Sequence, residues 1–206
     1  MSRAVLSPWG LRQRFARDLP WVPEVIHDRR PGDTGIARPA AVLVPIVLHG
    51  SELHVLFTTR PGHLRSHSGQ IAFPGGRVEV VDADRRATTL RETREEIGLS
   101  PTSIEILGQL PEYGTGSGFS ITPVIGLIES LPALDPDPNE VEEVFHVPLT
   151  FLMDPANHQR RRVLMAGEDR QVYAMPWRAA DGEIEYFIWG VTATILRNFF
   201  HFLRAD

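Results

Sequence analysis

Four residues, Phe73-Pro74-Gly75-Gly76, constrain this chain more than any other stretch. Proline removes a backbone donor and the two glycines admit tight conformations, so the chain must turn sharply there with carbonyls left open. Just beyond, residues 83 to 97 carry the clearest helical pattern. Ala83, Ala87, Leu90 and Ile97 follow a 3.6-residue period, Asp82 stands where a cap belongs, and Gly98 supplies a left-handed stop. Within that helix Glu92, Glu95 and Glu96 share one face, opposite the face that Ala87 and Leu90 would bury. The helix is therefore expected to turn its carboxylates to solvent. Each like-charged pair costs roughly 0.2 to 0.5 kcal/mol, partly offset by Arg91 and Arg94. A salt-bridged solvent face is the bland account of such a cluster. A turn with open carbonyls beside clustered carboxylates is instead an oxygen-rich site, suited to Mg2+ or Mn2+ and to phosphate chemistry.

The surrounding sequence supplies a frame for that block. Apolar, β-branched runs at 40 to 48 and 53 to 59 flank a turn at 49 to 52 and read as a hairpin, with Pro45 demanding an edge or a bulge. Residues 62 to 76 read as a loop interrupted by a short strand, QIAF. Further strands are predicted at 103 to 110, 119 to 128 and 184 to 189. A lead-in helix is predicted over residues 5 to 19, started by Ser7 and Pro8, and a second long helix over 191 to 203. Residues 20 to 37 and 131 to 140 read as connecting segments.

Composition narrows the function. The chain has 206 residues, 42% of them hydrophobic, which is enough for one substantial core. Its 21 basic and 26 acidic side chains leave a net charge of −5 with no basic block, so binding to a nucleic-acid polymer is not expected. Without cysteine there is no disulfide, thiolate metal site or thiol nucleophile. The longest apolar run falls far short of the ~20 residues that span a bilayer, and no secretory signal opens the chain. A cytoplasmic protein without membrane association is expected. The terminal Arg204-Ala205-Asp206 is not a peroxisomal address.

Gly76, Arg91-Glu92-Thr93-Arg94-Glu95-Glu96 and Gly98-Leu99 together resemble the Nudix box, G-x5-E-x7-R-E-U-x-E-E-x-G-U, where U is bulky and apolar. Three features depart from it: the loop is one residue longer, Ala83 stands at the usual glutamate, and Thr93 stands at an apolar position. Gly75-Gly76-Arg77-Val78-Glu79-Val80-Val81-Asp82 is similar to the GG-x-x-(D/E)-x-x-D of the coenzyme A diphosphatase branch. Thr58, Arg60, Arg65, Gly69 and Phe73-Pro74-Gly75-Gly76 resemble that branch's upstream signature, from which Phe57 and Pro61 depart. Ser117-Gly118-Phe119 and Ile188-Trp189-Gly190-Val191-Thr192-Ala193 extend the likeness over residues 40 to about 200.

The resemblance implies an α+β fold, an α/β/α sandwich around a mixed sheet, with residues 1–37 as an N-terminal helix and connector and 38–206 as the Nudix domain. It implies hydrolysis of the diphosphate of coenzyme A or acyl-CoA. The alternatives are another nucleoside diphosphate derivative as substrate, or a nucleotide-binding module without catalysis. Glu92 and Glu96 would be the main Mg2+ or Mn2+ ligands, Glu95 a third ligand or a base, and a carbonyl of Gly75 or Gly76 would complete the set. Arg91 would orient a glutamate. Glu140, with Glu142 and Glu143 as neighbours, would be the distal acid, while Arg60, Arg65 and His67 would grip substrate phosphate. Phe119 and Trp189 read as core. The partner would be a small nucleotide, and the assembly a monomer or a homodimer.

Overall fold

The computed structural model describes residues 4–25, 27–28, 37–62, 69–165, 168–179, 182 and 185–205. Of the residues singled out above, Arg65, His67 and Asp206 lie outside that set. In chain order the elements are α1 (Pro8–Ala16), β1 (Arg38–His49), β2 (Glu52–Thr59), β3 (Ile71–Ala72), β4 (Gly75–Arg77), α2 (Arg85–Ile97), β5 (Glu105–Gln109) and β6 (Tyr113–Gly114). They continue as β7 (Phe119–Ile128), β8 (Glu143–Pro148), α3 (Leu149–Leu152), β9 (Gln159–Met165), β10 (Glu168–Arg178), β11 (Glu185–Trp189) and α4 (Gly190–Arg204). The strands β4, β6, β8, β9 and β10 and the short helix α3 were not anticipated.

The apolar run at 40 to 48 becomes the central strand. β1 is parallel to β7, antiparallel to β2 along residues 46–49, and antiparallel to β4 along residues 40–42. The sheet is therefore mixed, and the fold is α+β. Pro45 sits inside this strand, not at an edge as the sequence suggested. The amide of Leu43 bonds Pro74 O at 2.8 Å, so by alternation position 45 faces the same side, where β4 has ended and β2 has not begun. No ladder bond is asked of the proline there.

Alternation along the strands divides the core into two layers. Leu43, Val47, Leu56, Val124 and Ile128 face Ile97 and Leu99 on the α2 side. Val44, Ile46, Val55, Phe57, Ile125 and Leu127 face the other way, onto Leu11 of α1 and Ile195, Leu196 and Phe199 of α4. The result is an α/β/α sandwich, with the antiparallel sheet β9–β10–β11 beside α4. No helix among the described residues is long and apolar enough to cross a membrane.

Candidate active site

The site forms where β4 passes under α2. Gly75 adopts φ 153°, and a Cβ there would strike the carbonyl of Ala41 on β1. Its amide donates to Glu96 Oε2 at 3.3 Å. At Gly76 an added Cβ would collide with the Glu92 carboxylate, so the loop backbone lies directly against the acidic helix. Both positions need glycine because of this approach.

The helix begins two residues later than its periodicity suggested. Asp84 caps it by accepting from Ala87 N at 2.8 Å, and the helical residues start at Arg85. Asp82, expected as the cap, has another task. Its side chain is 3% exposed and takes a bidentate pair from Arg91, with Nε to Oδ1 and Nη2 to Oδ2 both at 3.0 Å. Glu79 N and Thr88 Oγ1 donate to the same carboxylate, each at 2.9 Å. These bonds, led by those from Arg91, hold the Asp82 carboxyl well below the usual range against its burial. The sequence marked Asp82 as a cap and as the last acid of the stretch resembling the coenzyme A diphosphatase branch; its distance of nine residues from Arg91 hides the pairing.

Arg91 links the loop to the helix carboxylates. Nη1 donates to Glu92 Oε1 and to Glu95 Oε2, each at 3.0 Å, and Nη2 donates to the carbonyl of Arg77 at 3.1 Å. One planar fork thus sets the orientation of two glutamates and the loop that precedes them.

Glu96 departs from expectation. It is 5% exposed, on the buried face of α2 with Thr88, Thr89, Thr93 and Ile97, and not on a solvent face. Burial and the neighbouring Glu92 charge push its carboxyl up to about 8, with Glu140 adding to them and Gly75 N and Arg60 opposing. Burial also raises Glu92, against the pull of Arg91. Glu95 and Glu140 add to the rise at Glu92, so the two carboxylates, one buried and one half-buried, sit among more negative charge than their protein partners balance. That surplus, with oxygen as the only donor type, fits a hard divalent cation. Among the described residues, no three carboxylate or imidazole groups are already gathered as a cage. Glu92 and Glu95 are held by Arg91, and Glu95 is largely exposed.

The remaining residues fall around this centre. Arg60 is half-buried at the end of β2; its charge acts on Glu96, and its buried Nε has no partner among the described residues. Glu140 is exposed, and its charge bears on both Glu92 and Glu96. Glu142 N anchors to Thr59 O at 2.8 Å, and Glu143 accepts from Tyr186 Oη at 2.6 Å. Phe119 and Trp189, read as core, are only half-buried. Trp189 precedes α4, and Phe119 carries the Arg38 and Arg77 guanidiniums at 4.1 and 5.4 Å from its centroid.

Comparison with known proteins bears on this geometry. A model of the NUDIX domain matches residues 37–167. The peroxisomal coenzyme A diphosphatase of Mus musculus is 33% identical over 155 residues, spanning 75% of this chain and 66% of the mouse protein. The Nudix hydrolase NudL of Salmonella heidelberg, described as uncharacterized, is 37% identical over 176 residues, 85% of each chain. A MutT/nudix family protein from Enterococcus faecalis superposes with a TM-score of 0.48 at 17% identity, over 83% of this chain and 64% of that one.

Proposed function

The chain belongs to the NUDIX domain family, as a Nudix hydrolase acting on small nucleotides, and from that membership we propose that its substrate is coenzyme A or an acyl-CoA. Water adds to one phosphorus, the bridging P–O bond breaks, and the products are 3′,5′-ADP and 4′-phosphopantetheine or its acyl form. The observation that carries the reading is the under-compensated pair of half-buried Glu92 and buried Glu96 against the Gly75-Gly76 backbone. The 33% identity to a protein named as a coenzyme A diphosphatase supports the substrate.

In this reading Glu92, Glu96 and a carbonyl of Gly76 hold Mg2+ or Mn2+, with Glu95 at the edge of the set. The ion supplies charge neutralisation for the diphosphate oxygens and a source of activated water. Arg91 keeps Glu92 and Glu95 aimed and pins the loop through Asp82 and the Arg77 carbonyl. In the proposal Glu95, or Glu140 as the distal acid, takes the proton from water. Arg60, whose charge already reaches Glu96, neutralises a substrate phosphate; Arg65 and His67, six and eight residues from the end of β2, join it in the proposal. The reading includes a cytoplasmic setting, which subcellular fractionation tests. It leaves monomer and homodimer as the assemblies that light scattering separates.

Incubation of the purified protein with coenzyme A and Mg2+, followed by chromatography, should yield 3′,5′-ADP. Its absence from an intact, metal-loaded sample overturns the substrate assignment, and a kcat/KM comparison with ADP-ribose and a dinucleotide shows what replaces it. Glu96→Gln should lower kcat by orders of magnitude while the metal-free protein melts close to wild type near pH 7, since the Glu96 carboxyl, pushed up to about 8, is already largely neutral there and the amide keeps its shape. Near-normal turnover in that variant rejects the metal role.

A further inference from the structure

Ser117-Gly118-Phe119 has no part in the chemistry above, yet this turn is built with care. Gly118 adopts φ 83°, its amide donates to Thr115 O at 3.0 Å, and Phe119 N donates to Thr115 Oγ1 at 2.9 Å. The carbonyl of Gly118 receives the amide of Arg38 at 2.9 Å, which ties the start of β1 to the turn. Arg38 lies directly opposite Phe119 in the ladder, and Ala40 opposite Arg77.

Two cations therefore meet one aromatic ring, with Arg38 Cζ 4.1 Å and Arg77 Cζ 5.4 Å from its centroid. Both arginines are exposed. Among the described residues neither pairs with a carboxylate; Arg38 Nη2 donates only to Ser117 O, at 2.9 Å. Arg12, Arg91, Arg178 and Arg197, by contrast, each hold a glutamate or aspartate. Like charges gathered without an anion repel, and an exposed ring face offsets that only in part. An incoming dianion would settle both. Position matters as much as charge. Arg77 follows Gly76 directly, its carbonyl is fixed by Arg91, and alternation sends its side chain to the face of β4 opposite Glu92.

We propose that Arg38 and Arg77, ordered on the Phe119 ring, bind a phosphate monoester of the substrate that is not itself cleaved. The proposal rests on the coenzyme A reading above, in which that group is the 3′-phosphate of the adenosine. A planar fork is suited to such an oxyanion, and two of them discriminate a phosphate from a hydroxyl.

The test compares kcat/KM for coenzyme A with that for 3′-dephospho-CoA. In the double variant Arg38→Gln and Arg77→Gln the ratio should fall about ten-fold, and Arg77→Lys, which keeps the charge, should retain most of it. An unchanged ratio, whatever happens to the two rates together, overturns the proposal. Calorimetric titration with 3′,5′-ADP and with 5′-AMP provides an arm that needs no turnover. Wild type should prefer 3′,5′-ADP by about ten-fold and the double variant should lose that preference. Equal affinity for the two nucleotides in wild type, or an undiminished preference in the variant, defeats it. A wild-type enzyme that leaves coenzyme A intact defeats the substrate reading alone, and the titration still decides this one.

Discussion

At Gly75 and Gly76 two adjacent glycines serve different ends. A Cβ at Gly75 meets the backbone of β1, which cannot yield, and the φ of 153° disfavours any side chain. Gly75→Ala should cost more than about 2 kcal/mol, seen as a large drop in the denaturant midpoint. A Cβ at Gly76 meets only the end of the Glu92 side chain, which can swing aside. Gly76→Ala should therefore melt close to wild type and lose most of its kcat. Equal loss of stability in both variants contradicts the distinction. Thr93 offers the opposite trade. It is fully buried, and its Oγ1 has no partner among the described residues. Thr93→Val should stabilise by about 1 kcal/mol in urea unfolding, because the shape is kept and an unsatisfied hydroxyl is removed. A net destabilisation would show that the hydroxyl is engaged after all.

Among the elements, the connector at 20–25 is tied to α4 by Asn198, which bonds the backbone of Glu24 and Val25, and to both α4 and β10 by the Glu24 carboxylate. Burial drives Glu24 up, but hydrogen bonds from Tyr173, Arg197 and His201, with the Arg197 charge, outweigh it and hold the carboxyl at about 2. Since the folded value lies below the ordinary one near 4.5, the stabilisation is present above about pH 4.5 and drains as pH falls toward 2. Its size is of order 2 kcal/mol, discounted for partial exposure. Wild type should lose this stability between pH 4.5 and 2 in denaturant titrations, and Glu24→Gln should show a flatter profile. Parallel profiles would remove Glu24 from the account. The same element scale shows what periodicity misjudged in α2. Counting threonine as polar put Ala87 and Leu90 on the buried face, whereas Thr88, Thr89 and Thr93 are the buried residues. Threonine can be buried in a helix when its hydroxyl is satisfied nearby, as Thr88 is by Asp82 and Thr89 by the Arg86 carbonyl. That small rotation is what carries Glu96 inward.

For the molecule as a whole, the N-terminal segment is part of the main core. Leu11 is fully buried in the layer that joins β1, β2, β7 and α4, and Arg14 Nε caps the end of α4 by donating to Phe202 O at 2.7 Å. Leu11→Ala should cost about 2–5 kcal/mol, far more than a loosely attached lead-in could lose; an unchanged melting temperature would mark the segment as separable. The β1–β2 hairpin, the glycine turn, the acidic helix and its stop at Gly98, which adopts φ 70°, follow from local pattern alone, because alternation, helical period and glycine are short-range signals. What the folded chain alone decided was which of those surfaces met. Arg91 reaches Asp82 only once the loop has closed, Glu96 is buried only once α2 lies on β4, and Phe119 gathers Arg38 and Arg77 only once β1, β4 and β7 align. The charge and burial of a group depend on neighbours distant in sequence, and a local pattern does not record them.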